Sequence, residues 1–452
     1  MANERFGHAA GFKAGVAEVD ISPPPGVQLI GYPTVIRPNT GIHDPLFADC
    51  LVLDDGRARI ALITSDLVGC AKEFVHRFRA AVEGDTGIPA PNVLICCSHT
   101  HAGPRTAAHL FDEEAAMGGR VESEYLDWLM TRLRSLVQEA AAGPREARIG
   151  FGAGSAGSEK GIGGNRHDPA GLADPQVGVI GVQDNAGAWM AVLVKYSLHP
   201  TILQMDNTLV TADYPWGIRT LMKERHPEAA FFFAQGATGD QSSRYFRKGQ
   251  TFEEAARFGR IIGEEADRVL SSLAWAREPV LGARSIEVEP VWKEIPPVAE
   301  LEQRISQYWD ELRELEARGA PYVERQTSYL DRLGVELTLG MARFHARGEK
   351  APWEHDAPLE VQAVRIGDAC IVGIQGEIFV EYTLAIGKES PFAHTFVFTL
   401  ANGIGPGYVV DAAAAANRLF EAGASMMKPE TGAKILSAAA QAMKGLREGG
   451  PK

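Results

Sequence analysis

The sequence predicts a mixed α/β fold, with β-sheets layered against helices, a site at the strand ends and an inserted helical hairpin. Three observations carry that expectation. Apolar runs of strand length recur at Val93–Cys97, Ala229–Ala234 and Phe396–Leu400, and a run apolar at every position reads as a strand buried on both faces. Other stretches have helical period: within 121–142, Tyr125, Leu126, Leu129, Met130, Leu133, Leu136 and Val137 fall on one face. The buried strands also stop repeatedly on residues able to do chemistry, and ligands of α/β proteins collect where strand ends converge.

In chain order, residues 1–10 read as a loose arm. Gly11 to Gly31 alternates as a short strand and then meets Pro23-Pro24-Pro25, which forces an extended turn. Leu46–Leu53 and Ala58–Ser65 flank Asp54-Asp55-Gly56, a hairpin signal, and Val177–Val182 and Trp189–Tyr196 flank a second at Asp184–Gly187. The Gly-, Asp- and Asn-rich 153–175 reads as an irregular loop, and a helix is expected at about 252–273. Residues 298–348 are charged, helical in period and almost free of strand signals: a helical hairpin set into an α/β body of 11–297 and 349–447. Its aromatics, Tyr308, Trp309, Tyr322 and Tyr329, suit a substrate entrance or a contact between copies in a homo-oligomer; packing on its own face is the plainer alternative. Leu359–Ile366 and Ala369–Ile374 form another hairpin, and the alanine-rich 429–445 a closing helix.

Bulk properties narrow the function. The 452 residues are 45% hydrophobic with a net charge of −13 and no dense basic run, which argues against a nucleic-acid partner. No apolar stretch approaches membrane-spanning length, and the N-terminus lacks the basic-then-apolar layout of a signal peptide. The cysteines Cys50, Cys70, Cys96, Cys97 and Cys370 sit mostly in apolar runs without CxxC spacing and read as reduced core residues. A cytoplasmic protein is expected.

The strand Val93–Cys97 runs into Ser98-His99-Thr100-His101. Residues two apart in an extended chain point to the same side, so His99 and His101 are expected to project together. Paired imidazoles there suit a metal or a proton-transfer pair; a polar loop is the alternative. His199 ends another strand, Asp240 and Ser242 follow a third, Glu377 a fourth, and Tyr408 lies past a fifth. Two histidines and a carboxylate with an open position form a common catalytic zinc set. Taken singly, His199 also reads as a core histidine and Glu377 as a helix cap. The segment around Ser242 lacks the GxSxG elbow of an α/β-hydrolase, and no GxGxxG follows a strand.

The segment NVLICCSHTHAGP resembles the NV…THTHSGP signature of the neutral, non-lysosomal ceramidase family, zinc-dependent amide hydrolases. The likeness continues in order: AGVAEVDISPPPGVQLIGY, GGNRHDP, KYSLHPTIL, FAQGATGDQSS, VGIQGEIF and LANGIGPGYVV each resemble a family segment. The resemblance implies one zinc per chain held by His99, His199, Glu377 and Tyr408. It puts His101 and Arg166 beside the scissile carbonyl, with Ser242 in the reacting site and Arg166, Asp240 and Gln241 binding substrate. It implies an amide substrate attacked by a metal-activated water, or by Ser242 as a nucleophile. The chain departs from the family in its N-terminus and length, in Ser243 where the family has proline, and in one extra residue in the tyrosine segment. Those departures point from ceramide toward a smaller amide, lactam or N-acyl compound. The alternatives are a ceramidase acting on N-acyl sphingolipids, a metal-dependent esterase or phosphoesterase drawing on Asp44, Asp66 and Asp213, and a non-catalytic binding protein.

Overall fold

The computed structural model describes residues 11–32, 35–107, 123–417 and 419–449; the expected arm at 1–10 lies outside them. Four layers stack as helices, sheet, sheet, helices. The larger sheet runs, edge to edge, Ala230–Gln235, Trp189–Tyr196, Gln176–Asp184, Arg145–Ser155, Lys13–Asp20, Phe47–Asp54, Arg59–Ser65 and Val93–Cys97. Its two outermost pairs are parallel and the pairs between them antiparallel. The smaller sheet orders Leu281–Val288, Leu359–Ile366, Ala369–Ile374 and His394–Thr399.

The continuous apolar runs follow from this layering. In Val93–Cys97, Leu94 and Cys96 face the core between the sheets, beside Val364, Ile371 and Phe398. Val93, Ile95 and Cys97 point the other way, into a core shared with the helices Lys72–Thr86 and Ser123–Ala142. A strand covered on both faces has no polar side to alternate. Helices Tyr214–Arg225 and Phe252–Leu270 cover the rest of that face, and Val380–Glu389 and Glu430–Glu448 cover the outer face of the smaller sheet.

The strand Arg145–Ser155, which runs through a stretch without an expectation into the start of the expected 153–175 loop, is masked in the sequence by its glycines. A Cβ at Gly152 would lie 2.7 Å from Val269, so the small residue is what lets helix Phe252–Leu270 pack onto the strand. Glu377, weighed as a helix cap, caps nothing. Phe379 occupies the N-cap of Val380–Glu389 without a side-chain bond, and Glu377 lies in a two-residue strand.

Residues 298–348 form two helices, Val298–Ala317 and Tyr322–Ala346. Leu301, Val335, Leu339 and Ala342 bury against one another. The second helix also packs on the short helix Phe420–Ala424. There Gly334 meets Gly423 backbone to backbone, and Thr338 Oγ1 donates to the Gly423 carbonyl at 3.1 Å. Among the described residues no helix is long and apolar enough to cross a membrane.

Candidate metal centre and substrate cavity

Strand ends supply the site, and two short strand pairs tie the ends together. His99 follows Val93–Cys97, and His199 follows Trp189–Tyr196. Glu377–Ile378 pairs in parallel with Tyr408–Val409, so Glu377 lies directly beside Tyr408. Gln241–Ser242 pairs with Gly164–Asn165, and Arg166 N donates to the Asp240 carbonyl at 2.7 Å, fixing the arginine next to the serine loop. His199 N donates to the Gln241 carbonyl at 3.2 Å.

His99 and His101 do meet, but not by strand alternation. The strand ends at Cys97, and His99 adopts φ 67°, a left-handed conformation that a non-glycine residue holds at a cost and typically at functional sites. The chain then turns, and the two rings stand at 83° with centroids 5.0 Å apart. Gly31, at φ 104°, makes room for His101: a Cβ there would sit 2.4 Å from the ring's Cγ.

The three histidines converge on one point. His101 Nε2 lies 3.4 Å from His99 Nε2 and 3.0 Å from His199 Nε2. Glu377 Oε2 lies 3.2 Å from His99 Nε2 and 3.7 Å from His199 Nε2. A tetrahedral centre with bonds of about 2.0–2.1 Å has ligand-to-ligand edges of roughly 3.3 Å, and these four separations bracket that edge. Glu377 Oε2 is buried without a hydrogen-bond partner among the described residues, as expected of an oxygen facing a cation. The donor set therefore fits a metal ion, with His99 and His199 buried and His101 half-buried.

The outer ring nitrogens separate the histidines by role. His99 Nδ1 lies 2.8 Å from the Val68 carbonyl and His199 Nδ1 3.1 Å from the Thr238 carbonyl. A carbonyl at Nδ1 holds the proton there and leaves the Nε2 lone pair for a metal. Arg166 Nη2 also approaches His199 Nδ1, at 2.7 Å. Because a guanidinium only donates, that contact is a hydrogen bond in the other tautomer alone; with Nε2 turned to a cation, the carbonyl takes the Nδ1 proton. His101 Nδ1 is buried and has no partner among the described residues. Two imidazoles are locked for ligation, and the third is not.

Electrostatics agree with neutral imidazoles. Burial, then the neighbouring His99 and Arg37, hold His101 well below the usual histidine range; burial, His99 and Arg166 do the same to His199. Burial and the adjacent Glu377 hold the Tyr408 phenol far above its usual value. Burial alone would pull Arg166 down, but Glu421, Tyr408 and Glu377 outweigh it and keep the guanidinium charged. Glu421 carries no signal in the one-letter code. Its carboxylate takes Arg166 Nη1 at 2.8 Å and His167 Nε2 at 2.9 Å, and although burial opposes ionisation, Arg166 and His167 draw its pKa down to about 2.

A cavity of about 260 Å³ opens on this centre. His99, His101, His199, Arg166, Ser242, Glu377 and Tyr408 all line it. Asp240 and Gln241 do not. Asp240 accepts from Val380 N (2.9 Å) and Asn165 Nδ2 (3.2 Å), and Gln241 donates to the Leu172 carbonyl (3.1 Å), so both brace the loop from behind. Asp44, Asp66 and Asp213 lie off the cavity as well, accepting from the backbone N–H groups of Ala212, Phe47 and Tyr214. Opposite the histidines, Gln326, Tyr329, Leu330, Leu333 and Leu337 present one stripe of helix Tyr322–Ala346, joined by Trp353 and Phe420. Of the hairpin aromatics, Tyr329 reaches the cavity and Trp309 is exposed.

A four-layer α/β/β/α body with a histidine–carboxylate cluster at its strand ends defines an α/β protein with a candidate metal site. Its fold is that of the neutral ceramidases. The structure of neutral ceramidase from Pseudomonas aeruginosa superposes on 98% of this chain with a TM-score of 0.72 and 19% identity, and 75% of that chain is covered. A ceramidase complexed with C2 superposes on 97% of this chain with a TM-score of 0.71 and 16% identity, again covering 75% of that chain. In sequence, neutral ceramidases of Drosophila pseudoobscura pseudoobscura and Drosophila melanogaster are each 31% identical over 102 residues, which span 21% of this chain but only 14% of either relative. No family model matches the chain.

Proposed function

We propose that this protein is a zinc-dependent hydrolase that cleaves the C–N amide bond of an N-acyl compound. The observation carrying this reading is the division among the histidines. His99 and His199 have carbonyl-anchored Nδ1 atoms and aim Nε2 at an unpartnered Glu377 oxygen, whereas His101 enters the same space unanchored. His99, His199 and Glu377 would hold one ion, with Tyr408 beside Glu377 as the fourth donor. Zinc supplies Lewis acidity, polarising a carbonyl and acidifying water. His101, kept neutral, exchanges a proton or hydrogen bond with the reacting group. Arg166, charged and clamped by Glu421, faces the oxygen on which negative charge develops. Ser242 Oγ accepts from Arg244 N at 3.1 Å, which leaves its hydroxyl hydrogen to orient substrate.

The likeness to ceramidases and the leucine stripe on the cavity wall favour an acyl chain as the apolar part, so ceramide itself is the second reading. A dinuclear phosphoesterase gains nothing here, because Asp44, Asp66 and Asp213 are engaged elsewhere. We take 11–297 with 349–447 as the catalytic body and 298–348 as an insertion that walls its cavity. A cytoplasmic setting goes with this reading, supported by five buried, unpaired cysteines.

The test measures free amine released from a series of N-acyl amides, ceramide included, by chelator-treated enzyme before and after zinc is returned. Turnover restored by zinc is expected. Silence across the series with zinc restored would overturn the proposal.

A further inference from the structure

The charged residues lining the cavity are Arg166, Arg244, Arg247 and Glu377, three cations to one anion in a chain of net charge −13. Glu377 faces the histidines, and Arg166 is neutralised by Glu421. Arg247 adds a positive charge beside the reacting centre. Arg244 and Arg247 sit on the segment that leaves Ser242. Arg244 Nη1 donates to the Arg166 carbonyl at 3.3 Å, and Arg247 Nη1 to the Thr201 carbonyl at 2.8 Å, two residues past His199. For Arg247, a carbonyl positions the guanidinium without cancelling its charge, and the fork offers five N–H donors. Among the described residues no carboxylate pairs with Arg247. The opposite wall, with Leu330, Leu333 and Leu337, is apolar.

We infer that the substrate is amphipathic: an N-acyl compound whose acyl part lies on the leucine stripe and whose amine part carries a small anion bound by Arg247. The inference rests on the amide-hydrolase reading for the bond cleaved, and on the cavity's charge for the anion. Carboxylate and phosphate share the chemistry a guanidinium recognises.

The experiment compares N-decanoylglycine, N-decanoylphosphoethanolamine and neutral N-decanoylglycinamide on the zinc-loaded enzyme, by kcat/KM and by calorimetric titration. An anionic compound is expected to be favoured about tenfold or more over the neutral one, the scale of a charge-assisted hydrogen bond. The better of the two anions names the headgroup. Arg247→Gln should collapse the preference, and Arg247→Lys should keep part of it. Equal handling of charged and neutral compounds by the wild type overturns the inference without reference to any variant. If none is cleaved, the amide-hydrolase reading fails by itself, and the calorimetric ratio still decides this one: a tenfold preference upholds it, parity overturns it.

Discussion

The two walls of the cavity are built by different means. The histidine wall hangs from strand ends inside a four-layer body, with ring nitrogens pinned to backbone carbonyls and a histidine backbone held at positive φ. The facing wall is one stripe of the helix Tyr322–Ala346, docked through small residues onto Phe420–Ala424. Reaction geometry needs positions fixed to a fraction of an ångström, which strand ends in a dense core provide. Substrate choice needs a surface that can change without disturbing them, and a single helix lining the cavity suits that. Glu421 joins the two: it sits on the helix that Tyr322–Ala346 packs against and grips Arg166 on the histidine side.

Perturbations on the histidine wall should strike rate, and those on the helical wall should strike substrate binding. The largest effect is expected for His99→Ala, which removes an anchored ligand. Loss of several kcal/mol of metal-derived stabilisation lowers kcat on the order of a thousandfold, measured as amine release with zinc in excess. Glu421→Gln comes next. Loosening Arg166 should lower kcat/KM roughly tenfold to a hundredfold, the scale of losing an outer partner, and the variant should also be less stable. Because the Glu421 pKa is depressed, its contribution is present above 4.5 and fades as pH falls toward about 2. The melting-temperature gap between variant and wild type should therefore narrow over that window, and a gap independent of pH would contradict the ion-pair account.

Gly31→Ala should be milder, displacing His101 by a forced contact and a strained backbone, with a loss of about 1–3 kcal/mol in stability or positioning. Its rate defect should exceed any change in KM. Leu333→Ala is the smallest. Shortening the buried stripe should raise KM for a long-chain amide roughly threefold to tenfold and leave kcat nearly intact. A kcat defect as large as that of Glu421→Gln would erase the distinction between the walls.

Much of this arrangement was legible in the sequence, because its strongest signals are local. Buried strands announce themselves as apolar runs, and the residues that follow them, His99, His199, Glu377 and Ser242, stood out as able to do chemistry, although His199 and Glu377 taken singly also read as a core histidine and a helix cap. The strand Arg145–Ser155 was hidden, since its glycines answer to a helix more than a hundred residues away. Glu421 was hidden for a similar reason. It lies in a short EAGA helix with no pattern of its own, and its meaning comes from Arg166, 255 residues earlier. His99 and His101 were paired correctly on a mistaken geometry, because a positive φ leaves no trace in the one-letter code.

The most direct measurement of the central claim is metal content by elemental analysis of the purified protein, beside His99→Ala and Glu377→Ala. The account predicts about one zinc ion per chain, lost from both variants while the fold, followed by circular dichroism, persists. Two metal ions per chain, or none after zinc is supplied, would contradict it.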